Sequence, residues 1–163
     1  MMATLLTLFG ALLVAVIALA GVFIGGMRAK WPPVVDRVRG MNRRFFAAQQ
    51  LETAGGPGAY AGIVHHRGRK SGKDYATPAT IKRLEDDFVI AMVYGRRTDW
   101  VRNVLAAGSA TLDFEGDSYE VGEPEIVPTS DVADAFSAGD QRINRLLAID
   151  ECLRLRPLTE SGD

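Results

Sequence analysis

The sequence predicts a mainly β, α+β fold, in which a transmembrane helix precedes a small closed or half-closed β-barrel with inserted helices. Residues Met1 to Met27 include no Asp, Glu, Lys, Arg or His, and about 20 apolar residues in a helix are enough to cross a bilayer. From Tyr60 onward, short apolar or alternating runs are separated by residues typical of turns. We therefore expect a transmembrane anchor at 1–27, a basic connector at 28–54 and a barrel domain at 55–163.

The charges that flank the apolar segment predict its orientation. Between Arg28 and Arg44 the chain has six Arg or Lys residues and one acidic residue, Asp36. Cytoplasmic flanks of membrane helices are enriched in Lys and Arg, so we expect a single-pass protein of the cell membrane with its domain on the cytoplasmic side. A cleaved signal peptide is the alternative, because Ala18-Leu19-Ala20 resembles a cleavage site. It lacks the expected basic n-region, and the apolar run continues past that site.

The connector is predicted to contact membrane lipid. Pro32 and Pro33 prevent the first helix from continuing, and Val34–Gln50 could then form a short basic amphipathic helix near the bilayer surface. Trp31 suits the interface between lipid and water, and the basic cluster would attract anionic headgroups.

Five strands are predicted from the alternation, with a possible sixth near the end of the chain. They are Tyr60–Arg67, Tyr75–Leu84, Phe88–Tyr94, Ala110–Phe114, Tyr119–Val127 and Glu151–Pro157. Short polar turns follow the first, second and fourth strands, which predicts antiparallel hairpins. Closure into a barrel would remove the exposed edges of such a sheet.

Two helices are predicted between the strands. One begins after Thr98, a suitable N-cap, and ends at Gly108. The other occupies about Ser130 to Leu147.

The turn from Arg67 to Lys73 is the best candidate for a binding site in the sequence. It reads Arg-Gly-Arg-Lys-Ser-Gly-Lys, so glycines that allow close approach of the backbone stand beside cations and a hydroxyl that can bind a phosphate or carboxylate. It is not a Walker A loop, because only three residues separate Gly68 from Gly72 and no helix follows directly. A solvated basic hairpin turn is the simpler interpretation.

Other residue patterns argue against several kinds of chemistry. Adjacent residues on a strand point to opposite faces, so His65 and His66 should not bind one metal ion together. The single cysteine, Cys152, is expected to be a small buried residue. The net charge of −1 gives no indication of nucleic-acid binding. A bound organic cofactor is the remaining route to catalysis.

Three motifs in order make the chain resemble a known family: Gly68-Arg69-Lys70-Ser71-Gly72, Tyr75-Ala76-Thr77-Pro78, and the segment from Tyr94 to Gly108 with its Asp-Trp-Val-x-Asn-Val pattern. The chain resembles the deazaflavin-dependent nitroreductase family of actinobacteria over roughly residues 55 to 127. The resemblance implies a split β-barrel of the FMN-binding type. It also implies binding of coenzyme F-420, an 8-hydroxy-5-deazaflavin whose tail carries a phosphate and glutamates.

The resemblance assigns the phosphate to the basic turn and the ring to the strand that ends near Gly95. The implied cofactor-binding residues are Arg69, Lys70, Ser71, Gly72, Thr77, Pro78, Met92, Val93, Tyr94, Gly95, Trp100 and Asn103. Tyr94 is also the candidate catalytic residue, as a source of the proton. The nitroreductase branch has a Lys near the position of Tyr94, so the chain departs from that branch there.

The predicted function is hydride transfer from reduced coenzyme F-420 to a hydrophobic acceptor such as a quinone, a nitro compound or an unsaturated lipid. One alternative is a protein of the same barrel that binds FMN or haem. Another is a non-catalytic module that holds a cofactor or lipid at the membrane. Split barrels of this type are often homodimers, which makes a homodimer a further expectation.

Overall fold

The computed structural model describes residues 2–45 and 53–158. Its first element is the helix α1, Met2–Arg28, and three residues later the helix α2 covers Pro32–Phe45. Within α1, the stretch Thr7–Arg28 has a mean hydropathy of 2.7 and is exposed over most of its length, while Gly26 and Met27 in its last turn are buried. This helix is long and apolar enough to span a membrane, and a signal sequence can have the same length and composition.

The strands are β1 Gly62–Arg67, β2 Asp74–Ala79, β3 Ile81–Leu84, β4 Asp87–Ala91, β5 Ser109–Phe114, β6 Asp117–Pro128 and β7 Glu151–Pro157. Helix α3, Asp99–Ala107, lies between β4 and β5. A 3₁₀ segment, Thr129–Ala135, and helix α4, Ala138–Leu146, lie between β6 and β7.

The seven described strands form one antiparallel sheet in the order β2-β1-β5-β6-β7-β4-β3. Strands β2 and β3 are its two edges, yet only Thr80 separates them in the chain. The sheet must therefore curl until its edges approach each other, and this half-barrel confirms the predicted fold class. The enclosed core includes Val64, Phe88, Leu112 and Leu153, and α3 adds Val104 to it.

Several element boundaries differ from the sequence prediction. Tyr75–Leu84 is two strands, because the chain crosses between the sheet edges at Thr80. The third predicted strand, Phe88–Tyr94, ends at Ala91. Ser130–Leu147 divides near Ser137, whose hydroxyl caps α4 by accepting a hydrogen bond from Asp140 N at 3.1 Å.

The predicted cap of one helix and the predicted start of another also need correction. Helix α3 begins after Thr98, but the Thr98 hydroxyl donates to Gly95 O at 2.8 Å and does not cap the helix. Helix α2 begins at Pro32, since proline is accepted in the first turn of a helix. Residues 46–50 of the predicted connector helix lie outside the described residues.

The junction between α1 and α2 is fixed against the half-barrel. Arg28 Nη1 donates to Arg145 O at 2.7 Å and to Leu146 O at 3.1 Å. Lys30 Nζ donates to Val93 O at 3.2 Å and to Leu147 O at 3.4 Å. Three of these four contacts place basic groups on carbonyls at the C-terminal end of α4, where carbonyls lack partners within the helix. The start of α2 therefore has a defined position on the domain.

Candidate active site

A cleft with a volume of about 940 Å³ lies between the β1–β2 turn, the loop before α3 and helix α2. Eight of the twelve residues implied by the family resemblance line this cleft. They are Arg69, Lys70, Ser71, Thr77, Pro78, Tyr94, Trp100 and Asn103. The fold thus brings together residues from three separate motifs, as the resemblance implies.

The other four residues implied by the resemblance have different positions. Met92 is 2% exposed and belongs to the core of the half-barrel. Val93 and Gly95 flank Tyr94 and are half-buried, and Gly72 is exposed within the basic turn. None of these four lines the cleft, so any contribution they make acts through the backbone or through the position of their neighbours.

Backbone contacts give the basic turn a defined shape. Gly68 N donates to Lys73 O, and Gly72 N donates to Gly68 O, both at 2.8 Å. A side chain on Gly68 would place its Cβ 2.4 Å from Ser71 Oγ and 2.7 Å from Tyr75 Cε2, so those side chains would have to move to accept it. Gly72 has φ +65°, a conformation that glycine adopts readily. The turn consequently presents Lys70 and Ser71 at the edge of the cleft in a fixed arrangement.

Arg69 is held by helix α3. Its Nη1 donates to Asn103 Oδ1 at 2.8 Å, and its backbone N donates to the same oxygen at 3.2 Å. Both terminal nitrogens of Arg69 also lie 3.2 Å from Asp99 Oδ1. The guanidinium charge is therefore shared with Asp99, whereas Lys70 is exposed and has no ion-pair partner among the described residues.

The same asparagine continues the network to His66. Because arginine only donates, the Asn103 oxygen faces Arg69 and its Nδ2 donates to His66 Nδ1 at 3.2 Å. His66 Nε2 then carries the proton and donates to Thr77 Oγ1 at 3.0 Å. Burial is the main cause that lowers the pKa of His66, and the nearby His65 lowers it further. His66 is thus a neutral imidazole whose two nitrogens are both used.

His65 lies on the other face of β1, where its Nε2 is 2.6 Å from Asp113 Oδ2. The two histidines therefore point apart, as the alternation along a strand predicts. Sequence reasoning did not assign His66 to the site. The available signal was its position two residues after Val64. Residues two apart on a strand lie on the same face, and both Val64 and His66 are buried.

Tyr75 is a further cleft residue without an assigned role from the sequence. Its ring stacks on His66 with centroids 5.7 Å apart and an interplanar angle of 19°. Its hydroxyl lies 3.1 Å from Ser71 Oγ. Tyr75 thereby connects the basic turn with the interior of the cleft.

Tyr94 faces helix α2 across the cleft. Burial raises the pKa of its hydroxyl, while the positive charge of Arg39 acts in the opposite direction. The phenol therefore keeps its proton at neutral pH. Asp36, Arg39 and Gly40 of α2 complete this wall. The sequence did not indicate this contribution, because a basic amphipathic helix beside an apolar segment is typical of membrane contact.

The curled antiparallel sheet with its cation-edged cleft is a half-barrel suited to an anionic cofactor. A profile described as F420H(2)-dependent quinone reductase matches residues 40–130, more than half of the chain. The chain belongs to this family. It is accordingly an oxidoreductase that uses coenzyme F-420.

Solved structures with a similar chain path have low sequence identity to this chain. An F420-H2 dependent reductase (FDR-A) is 10% identical, covers 60% of this chain and 94% of its own, and has a TM-score of 0.47. General Stress Protein 26 from Bacillus anthracis is 12% identical, with coverages of 60% and 79% and a TM-score of 0.45. An FAD-binding protein from Mesorhizobium loti is 10% identical, with coverages of 69% and 90% and a TM-score of 0.45. Among curated proteins, none matches the chain.

The donors at the cleft fit a coenzyme with a phosphorylated, acidic tail. Lys70 supplies an exposed ammonium, and Ser71 supplies a hydroxyl beside it. Such groups form charge-assisted hydrogen bonds with phosphate oxygens. The deeper part of the cleft is bounded by Tyr94, Trp100 and Pro78, which suit the flat surface of an aromatic ring system.

Proposed function

We propose that this protein is a membrane-anchored reductase that transfers a hydride from reduced coenzyme F-420 to a quinone. Other hydrophobic acceptors, such as a nitro compound or an unsaturated lipid, are included in the proposal. The observation that carries it is the cleft itself, whose cationic turn and protonated Tyr94 face a wall built from the helix that follows the apolar segment.

The basic turn holds the anionic tail in this proposal. Lys70 and Ser71 contact the phosphate, because both are exposed at the cleft and Lys70 has no ion-pair partner among the described residues. Arg69 contributes positive charge while Asn103 and Asp99 fix its position. Thr77 is fixed in turn by His66. Met92, Val93 and Gly95 act through the backbone that positions Tyr94, and Gly72 gives the turn its shape.

Tyr94 supplies the proton that accompanies hydride transfer. The coenzyme provides the hydride when it is bound. Reduction of a quinone carbonyl also requires a proton at oxygen, and a buried phenol with a raised pKa retains that proton until it is needed. Arg39 faces the same phenol and would stabilise the phenolate after the proton leaves. The walls of the cleft position the two reactants, which is a large contribution to such a reaction.

The anchor brings the cleft close to acceptors that dissolve in a bilayer. The helix α1 has no charged side chain before Arg28, and only Ala29, Lys30 and Trp31 separate it from α2. The basic residues that follow α1 favour a cytoplasmic position for the domain. A substrate from the lipid phase would therefore need to travel only a short distance to reach Tyr94.

Titration of the full-length protein with oxidised coenzyme F-420, followed by its fluorescence, tests the cofactor assignment. Oxidation of the reduced coenzyme in the presence of quinones, nitro compounds or unsaturated lipids then tests the reaction. Binding together with acceptor-dependent oxidation supports the proposal. Binding without oxidation by any acceptor would indicate a cofactor-holding module, and a yellow or red purified protein would indicate bound FMN or haem.

A further inference from the structure

Helix α4 has an unusual distribution of polar and apolar side chains. Its inward face carries Gln141, which donates to Ala133 O and Phe136 O at 3.0 Å, and Asn144, which is 7% exposed. Its outward face carries Ile143 and Leu146, which are 48% and 50% exposed. A helix on a water-soluble domain normally turns its apolar side chains inward, so the exposed Ile143 and Leu146 are a candidate contact surface.

The position of α4 indicates what this partner is. Arg28, the first charged residue after the apolar segment, donates both of its described hydrogen bonds to the carbonyls of Arg145 and Leu146. The C-terminal end of α4 therefore lies beside the end of α1. If α1 spans a bilayer, this end of α4 is at the level of the lipid headgroups.

The charges on the outward face agree with that location. Arg142 and Arg145 are exposed and alternate with Ile143 and Leu146 along the same face. Neither arginine has an ion-pair partner among the described residues. Asp140 of the same helix is occupied by Lys82 at 3.1 Å, so it does not neutralise them. Basic and apolar side chains in this combination are typical of surfaces that bind anionic membranes.

We propose that Arg142, Ile143, Arg145 and Leu146 form a membrane-contact surface that binds anionic phospholipid. The two apolar side chains enter the interfacial region, and the two arginines contact lipid phosphates. This inference rests on the membrane placement in the proposed function. It adds a second attachment that fixes the rotation of the domain about the axis of α1, which one helix cannot do alone.

Site-directed fluorescence on the full-length protein in vesicles tests this surface. Leu146→Cys, labelled with an environment-sensitive fluorophore, is compared with Ser118→Cys in the β5–β6 hairpin. Native Cys152 is fully buried, and burial raises the pKa of its thiol, so it should remain unlabelled. In vesicles of phosphatidylcholine and phosphatidylglycerol, the probe at position 146 should shift to the blue and be quenched by nitroxide-labelled lipid. The probe at position 118 should show neither change.

Replacement of both arginines, Arg142→Glu and Arg145→Glu, should reduce quenching at position 146 in anionic vesicles. Equal quenching at positions 146 and 118 would overturn the proposal. A blue shift without quenching by lipid would also overturn it, since a second copy of the chain would then cover the face. Coenzyme binding is measured on the same samples. Its absence would contradict the proposed function, while the quenching result would still decide the membrane surface.

Discussion

The side-chain oxygen of Asn103 lies 2.8 Å from Arg69 Nη1, and this contact joins helix α3 to the basic turn. The amide nitrogen of the same residue donates to His66 inside the sheet. One half of the amide thus positions a cation at the mouth of the cleft, and the other half selects the tautomer of a buried imidazole. The position of the turn depends on the register of α3 against β1.

Asn103→Ala should therefore weaken both the fold and coenzyme binding. It leaves the buried His66 Nδ1 without its donor and removes an acceptor from Arg69, and a lost buried hydrogen bond of this kind costs about 1–3 kcal/mol. Thermal unfolding and coenzyme titration measure the two effects. Asn144→Ala is the matched control, because Asn144 is equally buried but lies on α4 outside the cleft. Equal coenzyme affinity in the two variants would contradict the role of Asn103.

The two exposed lysines of the basic turn should differ in their effect on coenzyme binding. Lys70 lines the cleft and Lys73 does not. Loss of a charge-assisted hydrogen bond to phosphate costs about 1.5–3 kcal/mol, so Lys70→Ala should weaken binding by roughly 10-fold to 150-fold. Lys73→Ala should change the affinity little, because Lys73 lies outside the cleft. It is a matched control, because both variants lose the same net charge. Similar losses in both variants would indicate general electrostatic attraction instead of a defined phosphate contact.

Acid should impair the cleft through His66. Its folded pKa lies below the ordinary value of 6.5, so its contribution to stability is complete above that pH and is lost as the pH falls through the folded pKa. Protonation would also place an N–H of His66 against the Asn103 amide. Melting temperature and coenzyme affinity should both decline with acidification in the parent protein. His66→Gln should remove much of this decline, whereas His65→Gln, which removes only the smaller cause of the lowered His66 pKa, should reduce the decline less.

Tyr94→Phe should separate binding from catalysis. The ring remains to line the cleft, so coenzyme affinity should be close to that of the parent. Turnover with a quinone should fall by about 100-fold or more, which is the usual contribution of a positioned proton donor. Tyr60→Phe is the control, since Tyr60 is 70% exposed and outside the cleft. An unchanged turnover number in Tyr94→Phe would show that solvent provides the proton.

The sequence was sufficient to predict the half-barrel because its signals are local. Turns rich in glycine and charge mark the β1–β2, β3–β4 and β5–β6 hairpins, and Gly108 marks the end of α3. The division of Tyr75–Leu84 into two strands was not predictable in this way. It depends on which strands pair across the closed sheet, and no local pattern reports such long-range pairing.

The candidate site shows the same contrast. The family motifs indicated Lys70, Tyr94 and Asn103, because each of them stands in a short local sequence pattern. The contribution of α2 depends instead on where Lys30 and Arg28 attach to the half-barrel. Carbonyls at the end of α4 receive these side chains, and a sequence pattern does not reveal contacts between positions more than 100 residues apart.

The three residues between α1 and α2 have a consequence for how the proposed reaction should be measured. If α1 spans the membrane as proposed, a cleft this close to it encounters a lipid-soluble acceptor by lateral diffusion in two dimensions. The rate should then follow the mole fraction of acceptor in the lipid, and dilution of the whole vesicle suspension should leave the turnover number unchanged. Addition of empty lipid to the same membranes should slow the enzyme.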